Sequence, residues 1–225
     1  MVKIAPSLLA ADFINLGKEL NKIEDAKVDW IHYDVMDGHF VPNISFGYGI
    51  LKMIRKYTNL FLDVHLMVSE PKQYVDPFIE SGADSIVYHI EAMESNEEIQ
   101  ELLQYIKSKN VKVGLSIKPE TPITVLKKYL HLVDIILIMS VEPGFGGQEF
   151  NSIALHKIRA LSFMKKEYGY QYEIEVDGGI NMETADLCRK AGATVLVAGS
   201  YFFNTEEYSE KVNELRGMND ENRNR

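Results

Sequence analysis

Short apolar runs rich in β-branched and aromatic residues alternate with longer stretches of helical period along the whole 225-residue chain. The run Trp30-Ile31-His32-Tyr33-Asp34-Val35 is short enough for a strand, and its two-residue period puts His32 and Asp34 on one face. The stretch 96–109 instead spaces its apolar residues three and four apart, as an amphipathic helix does. Eight strand-helix pairs are counted in this way. Strands are expected over 3–6, 30–35, 61–66, 85–89, 111–117, 135–141, 172–177 and 194–198. Helices are expected over 15–25, 48–57, 71–81, 96–109, 122–131, 151–168, 182–191 and 205–215.

That alternation predicts βα units and a parallel sheet, and the fold expected is α/β, a (β/α)8 TIM barrel, with a doubly wound sheet as the rival. The units share no repeated signature, which argues against a solenoid. No linker or composition break interrupts the pattern. Residues 1–216 are therefore expected to form one barrel domain, followed by a polar, charged tail over 217–225. Helices end at Ser81-Gly82-Ala83-Asp84 and at Ala191-Gly192-Ala193-Thr194, where glycine supplies a left-handed cap before a strand. The opposite ends of the strands carry the unusual residues, and there barrels build their active sites.

Composition narrows the function. A hydrophobic content of 46% supports a sizeable core. Lys+Arg 24 against Asp+Glu 33 gives a net charge of -9, which repels nucleic acid and anionic membranes, so an anionic substrate needs a local positive site. The single cysteine, Cys188, forms no intrachain disulfide or CxxC knuckle and fits a reducing, cytoplasmic compartment. The first residues lack a signal-peptide core, and no apolar run approaches the roughly 18 residues of a membrane span.

Strand period carries the chemistry. His32 and Asp34 share the axial face of the second strand, Asp63, His65 and Met67 repeat the arrangement on the third, and Asp177 ends the seventh. A lone His or Asp at a strand end is commonly a satisfied polar residue. Here two imidazoles and two carboxylates converge on one mouth with no Lys or Arg on those strand ends, and an uncompensated carboxylate there costs several kcal/mol. His32, Asp34, His65 and Asp177 are therefore candidate ligands of one divalent ion; zinc suits the set, with manganese, cobalt and iron(II) as alternatives. Asp63 and Glu175, one layer deeper, either orient those ligands or serve structure alone. His39 and His89 lie near the mouth, while His131 and His156 fall on helices and are expected at the surface. Met36, Met67 and Met139, core residues by default, would together make a dry cap over the metal.

Glycines follow the last three strands, in Gly144-Phe145-Gly146-Gly147, Gly178-Gly179 and Gly199-Ser200. They let backbone N–H groups approach an anion, which favours a small phosphorylated substrate. Neither a Walker A sequence nor a G-x-G-x-x-G fingerprint is present, so no nucleotide cofactor is implied.

The motifs Ile4-Ala5-Pro6-Ser7-Leu8-Leu9-Ala10-Ala11-Asp12, His32-Tyr33-Asp34-Val35-Met36-Asp37-Gly38-His39-Phe40-Val41-Pro42-Asn43, Asp63-Val64-His65-Leu66-Met67, Met139-Ser140-Val141-Glu142-Pro143-Gly144-Phe145-Gly146-Gly147-Gln148 and Glu175-Val176-Asp177-Gly178-Gly179 stand in order over about 1–205. In these the chain resembles the ribulose-phosphate 3-epimerase family. The resemblance implies interconversion of D-ribulose 5-phosphate and D-xylulose 5-phosphate, a step of the pentose phosphate pathway, by two-base proton transfer at C3 through an enediolate. It implies His32, Asp34, His65 and Asp177 as metal ligands, Asp34 as proton acceptor and Asp177 as donor. Ser7, His65, Gly144, Phe145, Gly146, Gly147, Asp177, Gly178, Gly179, Gly199 and Ser200 would bind substrate.

Two departures concern substrate length: Tyr48-Gly49 stands where the family usually has proline, and Tyr201-Phe202-Phe203 is bulkier than usual. Allulose 6-phosphate is the alternative substrate. A barrel lyase or decarboxylase would want Asp-x-Lys-x-x-Asp at a strand end, and Asp25-Ala26-Lys27-Val28-Asp29 is one residue short and precedes a strand. A non-catalytic binding barrel is the third class. A homo-oligomer is compatible with the sequence, which does not specify the oligomeric state.

Overall fold

A computed structural model describes residues 1–218; residues 219–225, most of the expected polar tail, lie outside the described residues. The strands are β1 (Lys3–Pro6), β2 (Trp30–Met36), β3 (Phe61–Met67), β4 (Ser85–His89), β5 (Lys112–Ile117), β6 (Ile135–Met139), β7 (Glu173–Asp177) and β8 (Val195–Ala198). They form one eight-stranded sheet in the order β1-β8-β7-β6-β5-β4-β3-β2, every pair parallel. Its two edges meet. Ser7 bridges to His32 in parallel, and the Asp29 carboxylate accepts the Ile4 N–H at 2.9 Å. The sheet is thereby a nearly closed barrel ringed by helices, the (β/α)8 fold.

Strands covered on both faces read as continuous apolar runs, and β2, β4 and β6 are buried throughout. Ile31, Tyr33 and Val35 point outward into the main core under the helices. Each such side chain contributes about 1.5–3 kcal/mol by leaving water. His32, Asp34 and Met36 alternate with them toward the axis. The floor of the barrel is shut by Trp30 stacked on Phe61 at 4.6 Å, with Lys3 and Lys112 over the two rings. Polar chemistry is left to the middle and the mouth.

The helices are α1 (Leu16–Asp25), α2 (Tyr48–Tyr57), α3 (Pro71–Glu80), α4 (Asn96–Ser108), α5 (Ile153–Tyr168), α6 (Met182–Ala191), α7 (Ser200–Phe203) and α8 (Tyr208–Arg216). Local chemistry sets their ends. Asn181 accepts the Glu183 and Thr184 N–H groups at 2.9 and 3.0 Å in a capping box, and α6 stops at Gly192 with φ 109°. Gly82, with φ 96°, follows α3 in the same manner.

The helix expected over 122–131 is absent: a 3-10 turn, Ile123–Leu126, follows β5. The β-branched run Ile123-Thr124-Val125 disfavours an α-helix, and Tyr129 and Leu132 bond three residues back, to Leu126 and Tyr129. Beyond β8 the short α7 was not expected, and α8 starts three residues after the expected 205. Strand β6 stops at Met139 instead of 141, and the Ser140 N–H makes the last bond to β7, to the Asp177 carbonyl at 2.8 Å. Among the described residues no helix is long and apolar enough to cross a membrane.

Candidate active site

Pairing in register builds the site. His32 stands beside Asp63, Asp34 beside His65 and Met36 beside Met67 across β2 and β3, while Met139 stands beside Asp177 across β6 and β7. Closure of the barrel then brings one donor atom from each of His32, Asp34, His65 and Asp177 within 4.8 Å of one another. Asp34 is the hub. Its Oδ1 lies 3.2 Å from His32 Nε2 and 3.1 Å from His65 Nδ1, and its Oδ2 accepts the Ser7 hydroxyl at 2.5 Å.

One layer down, Asp63 Oδ2 lies 2.8 Å from His32 Nδ1, and Asp63 Oδ1 accepts the Ser85 hydroxyl at 2.5 Å. Glu175 approaches His32 Nδ1 at 3.5 Å, and neither of its oxygens has a hydrogen-bond partner. Thus both deeper carboxylates contact the same imidazole from beneath.

Burial and charge divide the carboxyl groups. Burial works against ionisation of Asp34, but the adjoining His32 charge and the close approach of both rings outweigh it and hold that carboxyl well below the usual range. Burial and the charge of Asp34 push Asp177 up to about 7. Burial and neighbouring Asp63 push Glu175 up to about 8. His32 resists the penalty of burial through Asp34, Asp63 and Glu175 and sits well above its ordinary value, whereas burial brings His65 down to about 4. At neutral pH this leaves Asp34 ionised and Asp177 close to its midpoint, divided between the protonated and ionised forms.

A divalent ion fits these residues. His32 Nε2 is fully buried, faces the cluster and makes no hydrogen bond, as an imidazole donor atom awaiting a ligand would. Mixed imidazole and carboxylate donors suit zinc, manganese, cobalt or iron(II).

Above the cluster opens a cavity of about 870 Å³. Ser7, Asp34 and Asp177 reach it from below, Met36, Met67 and Met139 form its apolar floor, and Gly144, Phe145, Gly146, Gly147, Gly178, Gly179, Gly199 and Ser200 line its walls. His32 and His65 lie beneath the floor and do not line it. Gly178 and Gly179 have φ 116° and 61°. A Cβ on Gly179 would stand 2.5 Å from the Phe150 backbone nitrogen. Gly179→Ala is therefore expected to destabilise the fold by roughly 1–3 kcal/mol and to raise KM, as read by thermal melting and steady-state kinetics.

Of the two departures from the family pattern, Tyr201 lines the cavity, its hydroxyl donating to Glu214 at 2.6 Å. Tyr48 opens α2 away from that cavity, in edge contact with Phe78. Sequence reasoning missed Gln148, whose amide donates to the Glu142 and Phe145 carbonyls at 2.7 and 2.9 Å and folds the 142–148 loop over the mouth. It also left His89 without a role, although His89 Nε2 meets His65 Nε2 at 3.0 Å. A strand-end histidine followed two residues later by Glu91 was the available signal. His39, His131 and His156 are exposed.

Fold and site together define an α/β-barrel enzyme whose mouth combines a buried His/Asp cluster able to hold a divalent ion with a glycine-walled cavity. The chain belongs to the ribulose-phosphate 3-epimerase family, whose sequence profile matches residues 3–203. It is an isomerase. The ribulose-phosphate 3-epimerase of Bacillus subtilis (strain 168) is 44% identical over 218 residues, covering 96% of this chain and 99% of that protein. The cytoplasmic isoform of Oryza sativa subsp. japonica is 43% identical over 217 residues, covering 95% and 92%. Among solved structures, a mutant tryptophan synthase alpha-subunit from Pyrococcus furiosus superposes with a TM-score of 0.69 at 17% identity, covering 96% of this chain and 100% of that one. That likeness concerns the fold alone.

Proposed function

We propose that this epimerase interconverts D-ribulose 5-phosphate and D-xylulose 5-phosphate by two-base proton transfer at C3, in the cytoplasm, as a step of the pentose phosphate pathway. The observation that carries the reading is the pair Asp34 and Asp177, which enter one buried cluster from β2 and β7 with opposite protonation preferences. Inversion needs a base on one face of the carbon and an acid on the other. Asp34, ionised and fixed by the Ser7 hydroxyl, takes the C3 proton. Asp177, which burial and the Asp34 charge enable to hold a proton up to about pH 7, returns a proton to the opposite face of the enediolate.

A divalent cation held by His32, Asp34, His65 and Asp177 would supply positive charge that polarises the ketone and offsets the charge developing on the substrate oxygens. Met36, Met67 and Met139 keep bulk water from the carbanion. Backbone N–H groups of Gly178, Gly179, Gly199 and Ser200, with the Gly144-Phe145-Gly146-Gly147 loop, seat the phosphate without a charged side chain. Gly146-Gly147 and Gly178-Gly179 resemble the ribulose-phosphate branch more than the allulose 6-phosphate branch.

Turnover of ribulose 5-phosphate in deuterated water is expected to give product labelled at C3, with a higher kcat/KM than for allulose 6-phosphate. Unlabelled product excludes the two-base route, and a reversed preference reassigns the substrate.

A further inference from the structure

The loops that follow β2 and β6 meet over the mouth, although those strands stand opposite each other in the eight-stranded ring. The Asn43 side-chain amide donates to the Gly144 carbonyl at 2.9 Å, across 101 positions of sequence. Beside that bond the two loops approach closely: Gly144 has φ 118°, and a Cβ on it would stand 3.1 Å from Val41 Cβ. Gly144, Phe145, Gly146 and Gly147 line the cavity, whereas Val41 and Asn43 do not.

The two loops differ in what holds them. The one after β2 is braced at several points. Asp37 Oδ1 accepts the His39 and Phe40 N–H groups at 2.8 and 2.9 Å, and Asp37 Oδ2 accepts the Ser69 N–H at 2.7 Å and the Ser69 hydroxyl at 3.0 Å. Asp37 also bridges to Ile44, and the Ser45 hydroxyl donates to the Asp34 carbonyl at 2.6 Å and accepts the Met36 N–H at 3.0 Å. Val41 packs with Met36 and Met67.

The loop after β6 has few such anchors. The Asn151 N–H ties its base to the Ser140 carbonyl at 2.8 Å, and Gln148 bonds back onto Glu142 and Phe145 within the loop. Those contacts give the loop a shape but no fixed place over the mouth. Cβ atoms on Gly146 and Gly147 would meet nothing within 4 Å, and Phe145 is exposed. Among the described residues, the Asn43 bond is the single hydrogen bond from 142–148 to the rest of the chain.

We propose that Asn43 is a positioning residue for the epimerase reaction: its amide reaches from the braced loop after β2 and fixes the Gly144–Gly147 backbone over the cavity, in place for the substrate phosphate. A seat made of backbone N–H groups binds only when those groups converge, so a loop that must first be ordered binds less tightly. This consequence for binding rests on the reading that the loop seats the phosphate; the tether itself does not.

Asn43→Asp removes the donor at constant shape. Asn43 Oδ1 accepts the Ile44 N–H at 2.9 Å, which a carboxylate also does, but the second oxygen would face the Gly144 carbonyl, acceptor against acceptor. The loop is then released while Asp34 and Asp177 keep their surroundings. The phosphate is remote from C3, so loss of its seat weakens ground state and transition state alike and falls on KM rather than kcat.

Full-length wild type and Asn43→Asp are compared by steady-state kinetics with ribulose 5-phosphate and by limited chymotrypsin digestion without substrate, cleavage after Phe145 being followed by mass spectrometry. The rate of cutting reports the open population of the loop. The variant is expected to be cut after Phe145 roughly 10-fold faster and to show a KM roughly 10-fold higher at a kcat within about 3-fold of wild type, the scale of one lost hydrogen bond. A merely structural loss leaves less folded enzyme, which lowers kcat at unchanged KM. That result overturns the proposal, as does a folded variant cut at the wild-type rate, or one cut faster with KM unchanged. If Asn43→Asp does not fold, Asn43→Ala, which removes the donor without adding charge, decides by the same two measurements. A wild type inactive on ribulose 5-phosphate sinks the substrate reading, and the cleavage rates then decide the tether alone.

Discussion

Asp177→Asn lowers kcat by roughly 10²–10⁴-fold, the usual contribution of a positioned acid or base, and keeps the barrel folded. Asp177 ends β7, where its backbone carbonyl accepts both the N–H and the hydroxyl of Ser140 at 2.8 Å. Those bonds involve the main chain and survive the substitution. The amide matches the carboxyl in shape and removes a group that burial and Asp34 already disfavour as an anion. What is lost is an acid that can release a proton to the far face of C3. The checks are kcat in a coupled assay, the thermal midpoint, and metal content on the same sample. A folded variant that retains its ion and is inactive assigns the loss to proton transfer; one that has lost the ion assigns it to coordination. Full activity removes Asp177 from the chemistry.

Removal of divalent metal by a strong chelator, followed by dialysis, is expected to lower turnover by at least roughly 10³-fold, equivalent to about 4 kcal/mol of transition-state stabilisation. The reason lies in the charge balance of the cluster. Among the described residues, Asp34, Asp177, Asp63 and Glu175 converge on two histidines with no Lys or Arg as a hydrogen-bond or ion-pair partner. Further negative charge developing on a substrate would have only those rings to offset it. Adding back Zn2+, Mn2+, Co2+ or Fe2+ one at a time restores activity and ranks the ions. Undiminished turnover in protein shown to be metal-free rejects the metal role.

Much of the fold was legible because local rules agreed with one another. Helices α2 and α6 match the expected 48–57 and 182–191, and in α6 Asn181, Thr184 and Gly192 mark both ends by side-chain and glycine chemistry. The stretch 122–131 failed because apolar period alone suggested a helix, while Ile123-Thr124-Val125 and its three-residue bonds favoured a tighter turn. Strands β2 and β3 run one residue further than expected because Met36 and Met67 pair with each other.

The candidate site divides along the same line. A two-residue period is local, so the sequence by itself determined that His32 and Asp34, and Asp63 and His65, share an inward face, and that glycines would follow the last strands. Closure is not local. Only the tertiary structure decided that Asp177 of β7 reaches Asp34 of β2 through the seam at Ser7, and that His89 of β4 stands behind His65. Barrel curvature and strand register set those meetings, and hydrogen bonds among residues far apart in the chain leave no periodic trace in it.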